Sequence, residues 1–187
     1  MITSSLKMTG GEEMQARLQK LARDLATKRH VKVGFLRDEE YDRGDGGARL
    51  AERAKTAERD GHPEWAARLA AWAKWAAEHP RSLSVAQVAF WMEFGTRNHG
   101  PRPFFRTTIA NQSAEWGRVL AQNMVNTKLD VATSLGRTGL RMAEDVRDTI
   151  NGWPADNSEL THYIKGFNKG LSDSMRLARA VNYEVSS

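Results

Sequence analysis

The stretch Ser84–Arg106, SVAQVAFWMEFGTRNHGPRPFFR, constrains the fold more tightly than any other part of the chain. Ser84 and Gln87 have the N-cap and N3 spacing of a capping box, so a helix starts at this point. Val85, Val88, Ala89 and Met92 then recur at helical spacing. Gly95 follows the last apolar residue, where a residue able to adopt φ > 0 ends a helix at little cost. Arg97–Arg102 reads as a polar loop with Gly100 and Pro101, and Pro103 stands where a second helix begins. Helix, glycine stop, basic loop and proline-started helix therefore form one unit.

Five aromatic residues crowd this unit: Phe90, Trp91, Phe94, Phe104 and Phe105. The plainer reading makes them core aromatics that clamp the two helices together. The sharper reading joins some of them to Arg97, Arg102 and Arg106 in a protein–protein contact, because interfaces favour aromatics and Arg over Lys. Composition does not choose between the two.

On the N-terminal side, Thr9 and Glu12 form a second capping-box pair, and Met14, Leu18, Leu21 and Leu25 follow at helical spacing. The pattern predicts an amphipathic helix over about residues 10–28, closed by Lys28, Arg29 and His30, where cations suit the negative helix end. His30–Leu36 alternates Val31, Val33 and Phe35 against Lys32 and Gly34, a strand with one buried face. Residues 38–80 differ in character. DEEYDRGDGG is an acidic, glycine-rich loop whose Asp38, Glu39, Glu40, Asp42 and Asp45 invite a calcium reading. Their order does not follow the EF-hand loop, however, and the closing bidentate Glu is missing, so a solvated loop is the simpler account. Ala48–Arg59 and Glu64–Glu78, broken by Gly61-His62-Pro63, predict a helical hairpin with Trp65, Leu69, Trp72 and Ala76 on one face and Trp75 beside them. Packing within the chain is the plain role for these tryptophans. Contact with a neighbouring subunit is the alternative, since Trp is enriched at interface hot spots.

On the C-terminal side, Phe105, Ile109, Trp116, Leu120 and Met124 predict a helix from Pro103 to about Asn126, with Asn111, Gln112 and Ser113 weakening its middle. Asp130 caps the next helix, whose stripe is Val131, Leu135, Met142, Val146 and Ile150 and whose stop signals are Gly152 and Pro154. These two helices are expected to supply most of the hydrophobic core. Ala180–Val185 alternates Val181, Tyr183 and Val185 and is expected to pair with the strand around Val31–Leu36.

With these elements placed, the run VAFWMEFGTRNHGPRPFFR resembles the signature of a family of tailed-bacteriophage neck and tail-completion proteins, which includes tail-component and virion-morphogenesis proteins. Glu93, Phe94, Gly95 and Thr96 match its EFGT core, and Pro101, Arg102, Pro103, Phe104 and Arg106 match the proline- and arginine-rich continuation. The family's VxVGF strand is similar to Val31–Phe35. Its C-terminal block is matched by Asn157, Ser158, Thr161, Lys165, Gly166, Lys169, Leu171, Asp173, Leu177, Tyr183 and Val185. Gly170 stands where the family has Pro, and Ser174-Met175 replaces Thr-Gly, a departure that bears on turn geometry because Met adopts positive φ less freely than Gly. Family members often have a much shorter connection in place of residues 38–80.

Composition excludes several classes of function. At 187 residues the chain suits one domain, able to bury about 70% of its unfolded surface. The chain has no cysteine, which rules out disulfides, thiolate metal sites and thiol nucleophiles. No apolar run approaches the ~20 residues that span a bilayer, and MITSSLKMTGG lacks the apolar core of a signal peptide. A net charge of +5 and a pI near 9.7 permit contact with nucleic acid, but acids are interspersed and no block of like charges stands out. His30, His62, His79, His99 and His162 form no metal-ligand spacing, and no phosphate loop or nucleophile elbow is present. Glu93, with His99 nearby, is the most tempting carboxylate for a nuclease. A second acid at recognisable spacing is missing, and an ion pair with Arg97 or Arg102 that fixes the loop is the simpler account.

The expected fold is α+β, several helices packed on a small, mostly antiparallel sheet, with residues 1–187 as a single domain and 38–80 as a helical-hairpin insertion. The resemblance implies a structural virion protein of the head–tail junction, made in the host cytoplasm and placed in the virion. It would act as a ring subunit, expected to be hexameric, that joins tail to head, touches neighbouring neck and tail proteins and lets DNA pass. No enzyme activity, cofactor, metal or membrane partner is expected. The signature contact element comprises Glu93, Phe94, Gly95, Thr96, Arg97, Pro101, Arg102, Pro103, Phe104 and Arg106. Two alternatives share these features: a DNA-binding or DNA-processing phage protein, and a tail-assembly chaperone absent from the finished particle.

Overall fold

The protein was analysed as a computed structural model, which describes residues 11–37, 39–41, 46–79, 83–97, 99–166, 168–171 and 175–186. Thr9 of the first capping box, Asp38, Asp42 and Asp45 of the acidic loop, and Ser172–Ser174 of the C-terminal block lie outside the described residues. In chain order the elements are α1 (Gly11–Ala26), β1 (His30–Gly34), β2 (Glu40–Tyr41), α2 (Gly46–Arg59), α3 (Pro63–Glu78), β3 (Leu83–Ser84), α4 (Val85–Phe94), α5 (Phe104–Asn126), α6 (Val131–Asn151), α7 (Glu159–Lys165), α8 (Arg176–Ala180) and β4 (Asn182–Ser186). The fold is α+β, as expected, but the strands form two separate antiparallel pairs, β1–β4 and β2–β3.

The first pair joins the two ends of the chain. Val31 lies opposite Val185 and Val33 opposite Tyr183, so their side chains share one face of the ladder. Helix α6 lies on that face. A methyl group added at Gly139 would come within 2.5 Å of Val31 Cγ2 and 2.8 Å of the Tyr183 ring, so only glycine lets helix and strands approach this closely. Beyond the ladder, Ala143, Val146 and Ile150 of α6 meet Val85 and Ala89 of α4, Phe104 of α5 and Leu177 and Val181 near the C terminus. Phe35 closes this core edge-on to Phe104, with ring centroids 6.3 Å apart.

Helix α5 departs from the expectation that, together with α6, it supplies most of the hydrophobic core. Phe104 is its one buried apolar residue among those described, while Ile109 and Val125 are exposed. Its contact with α6 is a ladder of polar pairs. The Thr108 and Thr149 hydroxyls meet at 2.7 Å, Trp116 Nε1 donates to Asp145 at 2.7 Å, Asn123 donates to Thr138 at 3.1 Å, and the Thr127 and Ser134 hydroxyls meet at 2.7 Å. Each buried polar group finds a partner, which offsets its desolvation, and together the pairs set the register of the two antiparallel helices.

Helix α1 has the expected apolar stripe but turns most of it outward, with Leu21 alone of the four half-buried. Met14, Leu18 and Leu25 are each more than half exposed, while Asp24, about a quarter-turn away, is buried beside Arg29 at 3.4 Å. Its anchor on the body is Lys20, which donates to Asp130 at the start of α6 at 2.9 Å. That bond, with the Thr133 amide, holds the Asp130 carboxyl down at about 2.

Helices α2 and α3 pack along one another as the predicted hairpin. The two-residue ladder β2–β3, with Glu40 opposite Ser84, holds the ends of this excursion together, and Val85 N donates to Glu39 O at 2.8 Å. Ala54, Ala57 and Leu69 of the hairpin enclose Leu160 of α7, and Tyr163 donates to Asp60 at 2.7 Å. Trp65 packs against Tyr163 with ring centroids 5.4 Å apart, whereas Trp72 and Trp75 face outward. The plain within-chain role therefore holds for one tryptophan of the three. Near the C terminus, Met175 takes φ 56°, a left-handed conformation that methionine adopts less freely than glycine. At Gly170 an added methyl would lie 1.9 Å from an Asp156 carboxylate oxygen, so a larger residue would have to displace the side chain that Arg102 holds.

Candidate functional site

The corner between α4 and α5 is built from two local signals and one distant bond. The capping box at the start of α4 forms in both directions: Gln87 N donates to Ser84 Oγ at 3.1 Å and Ser84 N to Gln87 Oε1 at 3.2 Å. Gly95 ends the helix at φ 81° and ψ 174°. A methyl there would sit 2.9 Å from His99 O and 3.0 Å from Pro101 N, so glycine supplies both the backbone angle and the space. Thr96 N donates to His99 O at 2.9 Å and His99 N returns a bond to Thr96 O at 3.3 Å, closing a small loop.

Pro103 occupies the N-cap position of α5, one residue earlier in the helix than expected, and has no side chain able to cap it. The first-turn amides of a helix need acceptors. Glu93 provides them from the preceding helix. Phe105 N donates to Glu93 Oε2 at 2.8 Å and Arg106 N to Oε1 at 3.1 Å. Arg106 Nε reaches Oε1 at 2.8 Å, and Arg106 Nη2 reaches the Glu93 backbone carbonyl at 2.9 Å. A carboxylate at a helix N terminus also meets the positive end of the helix dipole. Glu93 is buried and its partner is Arg106, not the expected Arg97 or Arg102.

Arg102 turns inward. Its backbone N–H donates to Met92 O at 2.6 Å, and its Nε donates to Asp156 at 2.7 Å. The same Asp156 carboxylate accepts from Trp153 Nε1 at 3.3 Å, so Arg102 fastens the corner to the segment after α6. Phe104 goes into the core, Thr96, Arg97 and Pro101 lie exposed on the loop, and Pro103 is half-buried. Sequence reasoning missed Asp156, which carries no local signal. Its neighbours Asn157 and Ser158 belong to the matched C-terminal block, and that adjacency was the available clue.

The aromatics divide. Phe104 and Phe105 pack inward, but Phe90 is 59% exposed and Phe94 55%, with Trp91 exposed beside them. This corrects the reading of all five as a clamp: three of them stand exposed on the outer face of α4. Phe90 and Phe94 lie with ring centroids 4.7 Å apart, and the Arg106 guanidinium sits 5.0 Å from the Phe94 centroid. The site is thus a braced corner that presents an aromatic surface edged by Arg106, with Arg97 exposed on the adjoining loop.

Among the described residues, no group of three or more His, Asp or Glu side chains could hold a metal ion, and no helix is long and apolar enough to cross a membrane. Comparison of the chain with models of known families, with curated proteins and with solved structures finds no match.

Proposed function

We propose that the chain is a structural subunit of the head–tail junction of a tailed bacteriophage, a neck or tail-completion component that acts in a ring joining tail to head around the passing DNA. Two things support the reading: the resemblance of residues 88–106 and of the C-terminal block to that family, and the build of the corner itself. The observation that carries it is the exposed face of Phe90, Trp91 and Phe94 on a helix fixed from behind by Glu93 and Arg102. A rigid aromatic surface with arginine at its edge is the composition of a protein interface core. The nuclease alternative would have to free Glu93 from three hydrogen bonds, and the DNA-binding alternative has two of its three loop arginines engaged with Asp156 and Glu93.

Mass spectrometry of purified virions tests the proposal. The protein is expected in the particle, and phage lacking its gene are expected to yield filled heads and free tails that do not join. A protein absent from virions yet needed for joining would make it a chaperone and overturn the structural reading.

A further inference from the structure

The β1–β4 ladder is a sheet of two strands, so each strand has an edge that its neighbour does not cover. In an antiparallel ladder, opposite residues alternate between pairs that exchange both backbone bonds and pairs that exchange none. Tyr183 N is turned to the Asn182 side chain and donates to Oδ1 at 2.8 Å, which puts Tyr183 and the opposite Val33 in a pair of the second kind. Val31, opposite Val185 and two residues away, is of the same kind. The ladder ends on His30–Ser186 and Gly34–Asn182, the bonded parity that closes it at both ends. Val31 and Val33 therefore aim their N–H and C=O groups away from β4, and among the described residues no other backbone group meets them. Both stay half-buried although α6 lies against them. The two edges differ. On β4 the outward N–H of Tyr183 is already taken by Asn182, which blunts that edge, whereas β1 keeps both of its outward N–H groups.

We propose that β1 takes a third strand from another protein, an extended segment in which apolar residues alternate with acidic ones. Outward N–H and C=O groups on alternate residues are met by an extended backbone and not by a helix. Side chains of a strand point alternately to its two faces. Those of the incoming strand beside Val31 and Val33 share the α6 side of the sheet and are apolar. Those between them share the solvent side with Lys32, which is exposed and forms no ion pair among the described residues although Glu184 lies opposite it. That free ammonium favours acids at these positions. A second copy suits the edge poorly: β1 against β1, with Val31 opposite Val33, sets Lys32 against Lys32, and β4 offers its blunted edge. The contact stands on the ladder alone and does not depend on the head–tail reading.

Amide hydrogen exchange of the full chain, followed residue by residue by NMR, tests it with short capped synthetic peptides. One alternates Val and Glu, one alternates Val and Lys, and a third is the Val–Glu peptide N-methylated at every Val. Without peptide, the Val31 and Val33 amides are expected to exchange faster than the Lys32 amide, which is bonded to β4. The Val–Glu peptide is expected to slow both valine amides, the Val–Lys peptide to bind about tenfold more weakly, and the N-methylated peptide to protect neither. Lys32→Glu, at an exposed position, should reverse the order of the two charged peptides. Val31 and Val33 amides as protected as Lys32 before any peptide is added would show the edge already covered and overturn the proposal. So would no slowing at millimolar Val–Glu peptide, equal protection by the N-methylated peptide, or protection of Tyr183 and Val185 instead. Equal binding of the Glu and Lys peptides, or an order unchanged by Lys32→Glu, would overturn the acidic partner.

Discussion

Replacing Glu93 by alanine removes the acceptor that the N terminus of α5 depends on, and the cost can be worked from the bonds lost. The Phe105 and Arg106 amides, at 2.8 and 3.1 Å from the carboxylate, are left with no acceptor at a part-buried site. Loss of a helix cap costs about 1 kcal/mol. A hydrogen bond to a charged group contributes about 1.5–3 kcal/mol, an amount that overlaps the capping term and is not added in full. The Arg106 ion pair adds little, since the Arg106 side chain is 58% exposed and such pairs contribute ~1 kcal/mol at most. The expected destabilisation is about 3 kcal/mol, or roughly 6–12 °C in Tm for a chain of this size. Glu93→Gln keeps one acceptor oxygen and should cost about half as much, and Arg106→Ala less than ~1 kcal/mol. Urea denaturation of the three variants gives the order, and amide hydrogen exchange gives the location. Phe105 and Arg106 amides should exchange faster in Glu93→Ala than in Arg106→Ala. If Arg106→Ala cost more than Glu93→Ala, or if exchange at these two amides were unchanged by Glu93→Ala, then capping is not the role of Glu93.

Two further perturbations report on α6. Gly139→Ala should destabilise by about 1 kcal/mol, because ~1–3 kcal/mol of overpacking against Val31 and Tyr183 exceeds a helix-propensity gain near 1 kcal/mol. Gly136→Ala, one turn away with nothing within 4 Å of the added methyl, should stabilise by ~0.5–1 kcal/mol, and thermal melts of the pair give the comparison. Asp130 supplies a pH dependence. Its carboxyl titrates at about 2 when folded against 3.8 unpaired, so the unfolded chain takes up the proton first as pH falls. The Lys20–Asp130 contribution is therefore full above about pH 4 and is lost as pH falls towards 2. The stability gap between wild type and Asp130→Asn, small because the pair is at the surface, should close over that window in acid titrations of chemical denaturation.

What could be read from the chain alone was what lies within a few residues. The Ser84–Gln87 box, the Asp130 cap, the Gly95 stop and the alternation that pairs β1 with β4 are local patterns, and each takes its expected place. Periodicity says which residues share a face but not whether anything covers that face. For this reason the α1 stripe and the outer face of α4 looked like core and are exposed. Along the polar ladder, the residues of α5 and its C-cap that meet α6 are Thr108, Trp116, Asn123 and Thr127, and a search for apolar spacing passes over three of them. The bonds that define the corner span long stretches of chain: Arg102 and Asp156 lie 54 residues apart. No local rule pairs them.

The β2–β3 ladder brings Glu40 and Ser84 together, so the chain leaves the body and returns to it at nearly one point. Lengthening or shortening such an excursion costs little in loop entropy. Yet the hairpin is not freely disposable, because Leu160 and Tyr163 of α7 lie under it. Evolution could trim it only by also rewriting α7. A relative that turned directly from β2 to β3 would lose Asp60, the partner of Tyr163, along with the hairpin and would need polar side chains at the positions of Leu160, Tyr163 and Ile164. Gain of the hairpin and an apolar α7 should therefore be inherited as a single trait, and a sequence carrying one without the other would expose a bare greasy helix to water.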